Sequence, residues 1–267
     1  MYYGKIINLL LLILLCPMLL LTNEKYSAQD LKVLKKIVNL NPHLDHSLPR
    51  QVGTQIWESG RLTYLNLFSE RIVVLPSNIG ELTNLQYLNL DLNQLSSLPY
   101  SIGDLVNLEE LYLSDNMLVE LPESIGGLIN LEEFYLSNNQ LTYLPESLPY
   151  LSSLKLLRLN DNQIKYLPER IGDLYNLENL SVSRNNLLEL PDSIVELENL
   201  YILILSDNDI SDLPNDIGNL SGLQQISMEK NNLDFLPYSI GSLQRLTSLS
   251  LSGNNLSELP SSMGYLN

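Results

Sequence analysis

The chain has 267 residues, a net charge of −16, 45% hydrophobic residues and a single cysteine. That charge excludes nucleic acid and disfavours an anionic lipid surface, because both partners require clustered lysine and arginine. One cysteine excludes a disulfide framework and a cysteine-built metal site, and the hydrophobic share excludes a disordered chain.

Residues 1–22 open with Lys5 and continue as an apolar run over residues 6–21, broken only by Asn8. This predicts a signal peptide or an uncleaved signal anchor. Cys16 lies inside the run and is a lipidation candidate, although no small residue precedes it. Membrane contact is expected only through this segment, if it is uncleaved or lipidated. The expected location is export, to the cell surface, the envelope or the medium; the alternative is cytoplasmic.

Residues 23–61 are expected to form an N-terminal cap, with a helix over residues 28–41 and a degenerate repeat. Ser27 is placed as an N-cap, with Asp30 three residues on. Leu31, Leu34, Ile37 and Val38 share one face, and Asn41-Pro42 ends the helix. Leu48-Pro49 through Gly53 reads as a degenerate return segment, followed by four residues more than the regular spacing, and Trp57 is expected to pack at the cap. His43, Asp45 and His46 could suggest a metal, but no further ligand stands at a useful spacing. A polar loop explains them better, and no cofactor or metal is expected.

From residue 62 to 267 we read nine repeats of 23 residues. A Leu-Pro pair recurs from Leu75-Pro76 to Leu259-Pro260 without an insertion. Asparagine keeps the same frame at Asn93, Asn116, Asn139, Asn162, Asn185, Asn208, Asn231 and Asn254, while Glu70 stands in its place in the first unit. Within one unit, Leu88-Asn89-Leu90 alternates as a strand does. Pro99 then removes an amide donor and ends the sheet. Ile102-Gly103 begins a helical or 3₁₀ return.

The pattern LxxLxLxxNxLxxLPxxIGxL resembles the leucine-rich repeat. It is similar to the 23-residue class found in Ras-suppressor-type proteins and in small bacterial surface or secreted proteins, including those of spirochaetes. The resemblance covers residues 62–266. It implies an α/β repeat fold, a leucine-rich-repeat solenoid with a curved parallel β-sheet on its concave face and short helical or 3₁₀ segments on its convex face.

Physical reasoning leads to the same place. One unit cannot enclose its own leucines, so stacking must bury them. Nine strands about 4.8 Å apart give a sheet on the order of 40 Å long. The asparagines are expected to form a structural ladder, because a carboxamide can both donate to and accept from the backbone. Leu148-Pro149 and Ile194-Val195 replace Ile-Gly in two return segments, and this convex position is expected to tolerate substitution. Leu249, Leu251 and Leu266 are expected to face solvent at an open C-terminal edge, where self-association or a truncated sequence is the reading.

The register also predicts which strand residues point away from the core. We expect a protein or peptide ligand to dock across Tyr87, Tyr112, Tyr135, Arg158, Ile202 and Ile204, since tyrosine and arginine suit interface hot spots. The competing view is that tyrosine simply suits a strand surface. No nucleophile–base set, P-loop, H-E-x-x-H or dinucleotide fingerprint is present, so no catalytic residue and no enzyme activity is expected. The function expected is an exported protein-interaction module. Its alternatives are an intracellular scaffold of the Ras-suppressor type and the recognition part of a larger protein. Carbohydrate binding is a weaker option, suggested by the tyrosines alone.

Overall fold

A computed structural model describes residues 26–44 and 48–266. The apolar N-terminal run with Cys16, and Asp45 and His46, lie outside these residues.

The first element is helix α1, Ala28–Leu40. Ser27 caps it, its hydroxyl oxygen accepting from the Asp30 amide at 3.3 Å. Asp30 is itself buried and bonds to more than the cap. It pairs with Arg61 at 3.0 Å and accepts the Leu62 amide at 2.9 Å, tying the helix to the first strands. Val33, Leu34 and Ile37 face the core. Val33 therefore takes the place expected of Leu31, which is only half-buried. Buried Asn41 closes the helix by donating to Ile37 and Val74 carbonyls and accepting the Val73 amide.

After a 3₁₀ turn at Pro49–Gln51 come β1, Thr54–Glu58, and β2, Arg61–Asn66. They form an antiparallel hairpin. Ser59 and Gly60, both at positive φ, make its two-residue turn. The residues that exceed the regular spacing are thus an added strand, and the sheet is not parallel throughout. Trp57 is partly buried against the core and meets Tyr26 edge-on at 4.8 Å.

The rest is periodic. Strands β3 (Tyr87–Asn89), β4 (Glu110–Tyr112), β5 (Glu133–Tyr135), β6 (Leu156–Arg158), β7 (Asn179–Ser181), β8 (Ile202–Ile204), β9 (Gln225–Ser227) and β10 (Ser248–Ser250) follow β2 at 23-residue intervals. Each pairs in parallel with the one before, so β1 to β10 form one sheet in sequence order. Each coil returns through a short 3₁₀ segment, such as Tyr100–Asp104 or Glu123–Gly127. One leucine-rich core runs from α1 through every coil. Its buried residues are drawn off water at about 25 cal/mol per Å².

The asparagine column lies inside the turn that leaves each strand. In each unit the Nδ2 group donates to the carbonyl three residues back, at 2.8–3.2 Å, and to the equivalent carbonyl of the preceding coil, at 2.8–3.0 Å. The Oδ1 atom accepts an amide of that coil at 2.8–3.1 Å. Three orphan backbone groups per rung are satisfied by one side chain. The residue before each asparagine, from Leu92 to Lys230, sits at φ 53–57°. This left-handed backbone costs a non-glycine residue about 1 kcal/mol, which the asparagine bonds offset. Glu70 replaces asparagine in the first unit, where no full coil precedes it; the Leu67 carbonyl is bonded by Asn93, as its equivalents are by the asparagine of the next coil on every later rung. A second ladder runs along the opposite side. Asn107, Asn130, Asn176 and Asn199 each donate to the preceding coil at 2.7–2.8 Å.

The convex glycines are not tolerant positions. A Cβ on Gly80, Gly103, Gly126, Gly172, Gly218 or Gly241 would lie 1.9–2.5 Å from a serine carbonyl of the next coil. Glycine is required where backbones approach this closely. Where Pro149 and Val195 replace it, the residue in the corresponding place of the next coil is Arg170 or Asp216 rather than serine. Glycine and serine are therefore exchanged together, as a contacting pair.

At the far end, Leu249, Leu251 and Leu266 are partly buried against the core rather than fully open to solvent. β10 pairs with β9 alone.

Candidate functional site: the tyrosine run on the sheet

The outward face of the sheet is built by alternation. On each strand the central residue enters the core and its two neighbours point away. In-register pairing carries these outward residues into columns, with Tyr64, Tyr87, Glu110 and Glu133 in one and Asn66, Asn89, Tyr112, Tyr135 and Arg158 in the next.

Aromatic rings fill the first four rungs continuously. Tyr64 and Tyr87 stack at 4.2 Å, Tyr87 and Tyr112 meet tilted at 5.2 Å, and Tyr112 and Tyr135 stack at 4.5 Å. The Arg158 guanidinium sits 5.8 Å from the Tyr135 ring centre, within cation–π range. The run steps from one column to the next between β3 and β4. Tyr112 donates its hydroxyl to Glu110 at 2.8 Å, and Tyr135 donates to Glu133 at 3.0 Å. Asn89 donates to the Tyr87 hydroxyl at 3.2 Å. Burial, then the hydrogen bond to Glu110, raises the Tyr112 phenol well above its usual range. Burial does the same for Tyr87. Both stay protonated at any physiological pH and present neutral rings.

The structure thus brings Tyr87, Tyr112, Tyr135 and Arg158 together and adds Tyr64 of β2. Ile202 and Ile204 stand apart on β8, with Asn179 and Ser181 of β7 between them and β6. They are half-buried and form a separate small patch.

A third outward column, absent from the sequence reading, carries Asp91 and Asn160. Asp91 accepts the Ser114 amide at 2.6 Å, and Asn160 accepts the Ser183 amide at 2.8 Å in the same way. Burial pushes the Asp91 carboxyl up to about 6, with Asp115 adding repulsion against the lowering effect of the Ser114 amide. Its folded-state value therefore lies above its unfolded one. This group favours the fold at low pH, and that contribution is lost as pH rises from about 4 through 6. Asp91→Asn keeps an amide oxygen for Ser114, as Asn160 does for Ser183, and removes the ion. The variant should be more stable than the parent at pH 7, by about 1 kcal/mol after solvent screening, and equal to it at pH 4. Urea melts of both proteins at the two pH values check this; equal stability at pH 7 contradicts it.

A parallel stack of 23-residue coils, tied by asparagines and glycine-serine contacts, defines a leucine-rich-repeat solenoid. A leucine-rich repeat region profile matches residues 26–143 and 137–235, and a leucine rich repeat profile matches residues 245–266. The chain belongs to the leucine-rich-repeat family. Among solved structures it is similar to the ectodomain of the plant membrane receptor kinase GASSHO1/SCHENGEN3 from Arabidopsis thaliana, in complex with CASPARIAN STRIP INTEGRITY FACTOR 2. That match is 27% identical with a TM-score of 0.72, over 78% of this chain and 26% of the other. The plant peptide hormone receptor RGFR1 in complex with RGF2 is 29% identical with a TM-score of 0.60, over 76% and 38%. The leucine-rich repeat domain of the type III effector XCV3220 (XopL) is 26% identical with a TM-score of 0.67, over 90% and 87%. The chain spans about a quarter of the length of the first of these. No curated protein matches it.

Proposed function

We propose that this protein is a non-catalytic interaction module that binds a protein or peptide on the outward face of its sheet, centred on Tyr87, Tyr112, Tyr135 and Arg158. The observation that carries this reading is the unbroken ring run from Tyr64 to Tyr135, closed by Arg158. Such a run offers large, rigid area at small entropic cost, as binding hot spots do. The receptors above that were solved in complex with named partners lend support at the level of the fold.

We further propose that the apolar residues 6–21 direct export. Mass spectrometry of the native N-terminus together with cell fractionation tests this, since a retained segment on a chain found in the cytoplasm favours the intracellular-scaffold alternative.

For the binding reading, pulldown with the chain supplies the partner. Tyr112→Ala and Tyr135→Ala are each expected to weaken its binding about thirtyfold, with far-UV circular dichroism unchanged. Unaltered affinity in both variants would leave the rings as strand surface only.

A further inference from the structure

The ring run coincides with an uneven charge distribution. Residues 86–92, 109–115 and 132–138, which make β3 to β5 and the turns after them, contain Asp91, Glu109, Glu110, Asp115, Glu132 and Glu133 and no lysine or arginine. The later coils are different. There Arg184 pairs with Asp161, and Lys230 pairs with Asp207 at 2.9 Å. Just before β6, Lys155 meets Glu132 at 2.7 Å. With the matching residues 155–161 included, these four rungs hold seven carboxylates and two cations, Lys155 and Arg158.

The register sharpens this. Glu110 is the direct cross-strand partner of Glu133. Like charges placed opposite each other weaken a sheet. The core gains nothing from them, because both side chains lie on the outward face. A local rule broken at the centre of an aromatic surface points to an occupant that relieves the cost.

Resting on the reading above that this face binds a peptide or protein, we propose that the occupant is a basic segment. It lies extended across β3 to β6, with the apolar stems of its lysine or arginine side chains along the outer edges of the Tyr87, Tyr112 and Tyr135 rings and their charged heads at the carboxylates of Glu109, Glu110, Glu132 and Glu133. Cations are attracted to carboxylates, and their long apolar stems pack against aromatic surface. Arg158 repels cations at the β6 end, so the segment's basic side chains lie over β3 to β5 and its part over β6 is uncharged or acidic.

Three short fluorescein-labelled peptides test the inference against the full chain: one alternating arginine with serine, one glutamate with serine, and one leucine with serine. Fluorescence anisotropy gives affinity, and hydrogen exchange locates the bound peptide. The arginine peptide should bind, protect β3 to β6, and weaken about tenfold in the Glu110→Gln/Glu133→Gln double variant. Raising salt to 0.5 M should weaken it similarly. The glutamine side chains keep an acceptor for each tyrosine hydroxyl and remove the opposed charges, so the variant should fold at least as stably. Tighter binding of the leucine or glutamate peptide on the same strands overturns the basic occupant while leaving the sheet as the binding face. Arginine-peptide binding that ignores the double variant, or protection outside β3 to β6, also overturns it. So does failure of all three peptides to bind, and the fate of the sheet-face reading then rests on the tyrosine variants with the captured partner.

Discussion

Replacing Asn139 by alanine should destabilise the protein by about 4 kcal/mol. The side chain is 8% exposed and holds three backbone groups, the Leu113 and Leu136 carbonyls and the Leu118 amide. Each group left buried and unpaired costs about 1–3 kcal/mol, and the vacated volume adds a cavity term. The turn before it would also lose the bonds that hold Asn138 at φ 56°. Asn254 makes the same contacts on the last rung but is only half-buried. Water can reach its partners there, so Asn254→Ala should cost about 1 kcal/mol. Equilibrium urea unfolding followed by circular dichroism compares the two. Equal losses would mean that the ladder's contribution does not depend on burial, contrary to this account. Asn139→Asp should be as damaging as alanine, because a carboxylate oxygen would then face the two carbonyls that now receive Nδ2 protons.

Gly103→Ala should cost about 3 kcal/mol or more. An added methyl would lie 1.9 Å from the Ser124 carbonyl oxygen and 2.7 Å from its carbon. The obstacle is backbone, so no rotamer change relieves it, and the coils must part. Gly264 is the matched control. It occupies the same place in the last unit, where a Cβ would meet nothing within 4 Å, and its alanine variant should be neutral within about 0.5 kcal/mol. Thermal and urea unfolding of both variants decide the matter. A neutral Gly103→Ala would show that the return segments slide freely past one another. The two natural exceptions, Pro149 and Val195, occur where Arg170 and Asp216 replace the contacting serine and stand outside the 3₁₀ segment of that coil, at φ −100° and −98°.

These two columns differ in how plainly they can be seen in the amino-acid string. The 23-residue period sets each residue's neighbour in advance, because a coil touches only the coils before and after it. Leucine and Leu-Pro spacing therefore made the parallel stack, the single core and the outward strand positions readable without coordinates. The N-terminal hairpin was not readable in this way. Residues 54–61 have no copy elsewhere in the chain, so no register placed Thr54–Glu58 as an antiparallel edge strand. Ser59-Gly60 was the local turn signal available. Asp30 was read as a capping residue, whereas its pairing with Arg61 joins elements about thirty residues apart and emerges only from packing.

The surface shows the same division. Periodicity put the tyrosines on one face but did not show that Tyr64 completes their run. It also did not show that the run crosses from one column to the next between Tyr87 and Tyr112. Ring stacking depends on side-chain rotamers and on the distance between strands, and neither is written in a repeat pattern. Ile202 and Ile204 shared the outward register yet stand two strands beyond Arg158, because equal register does not mean proximity along a sheet. The glycine column carried no warning either: its serine carbonyls lie in the next coil, and that close approach exists only once the coils are stacked.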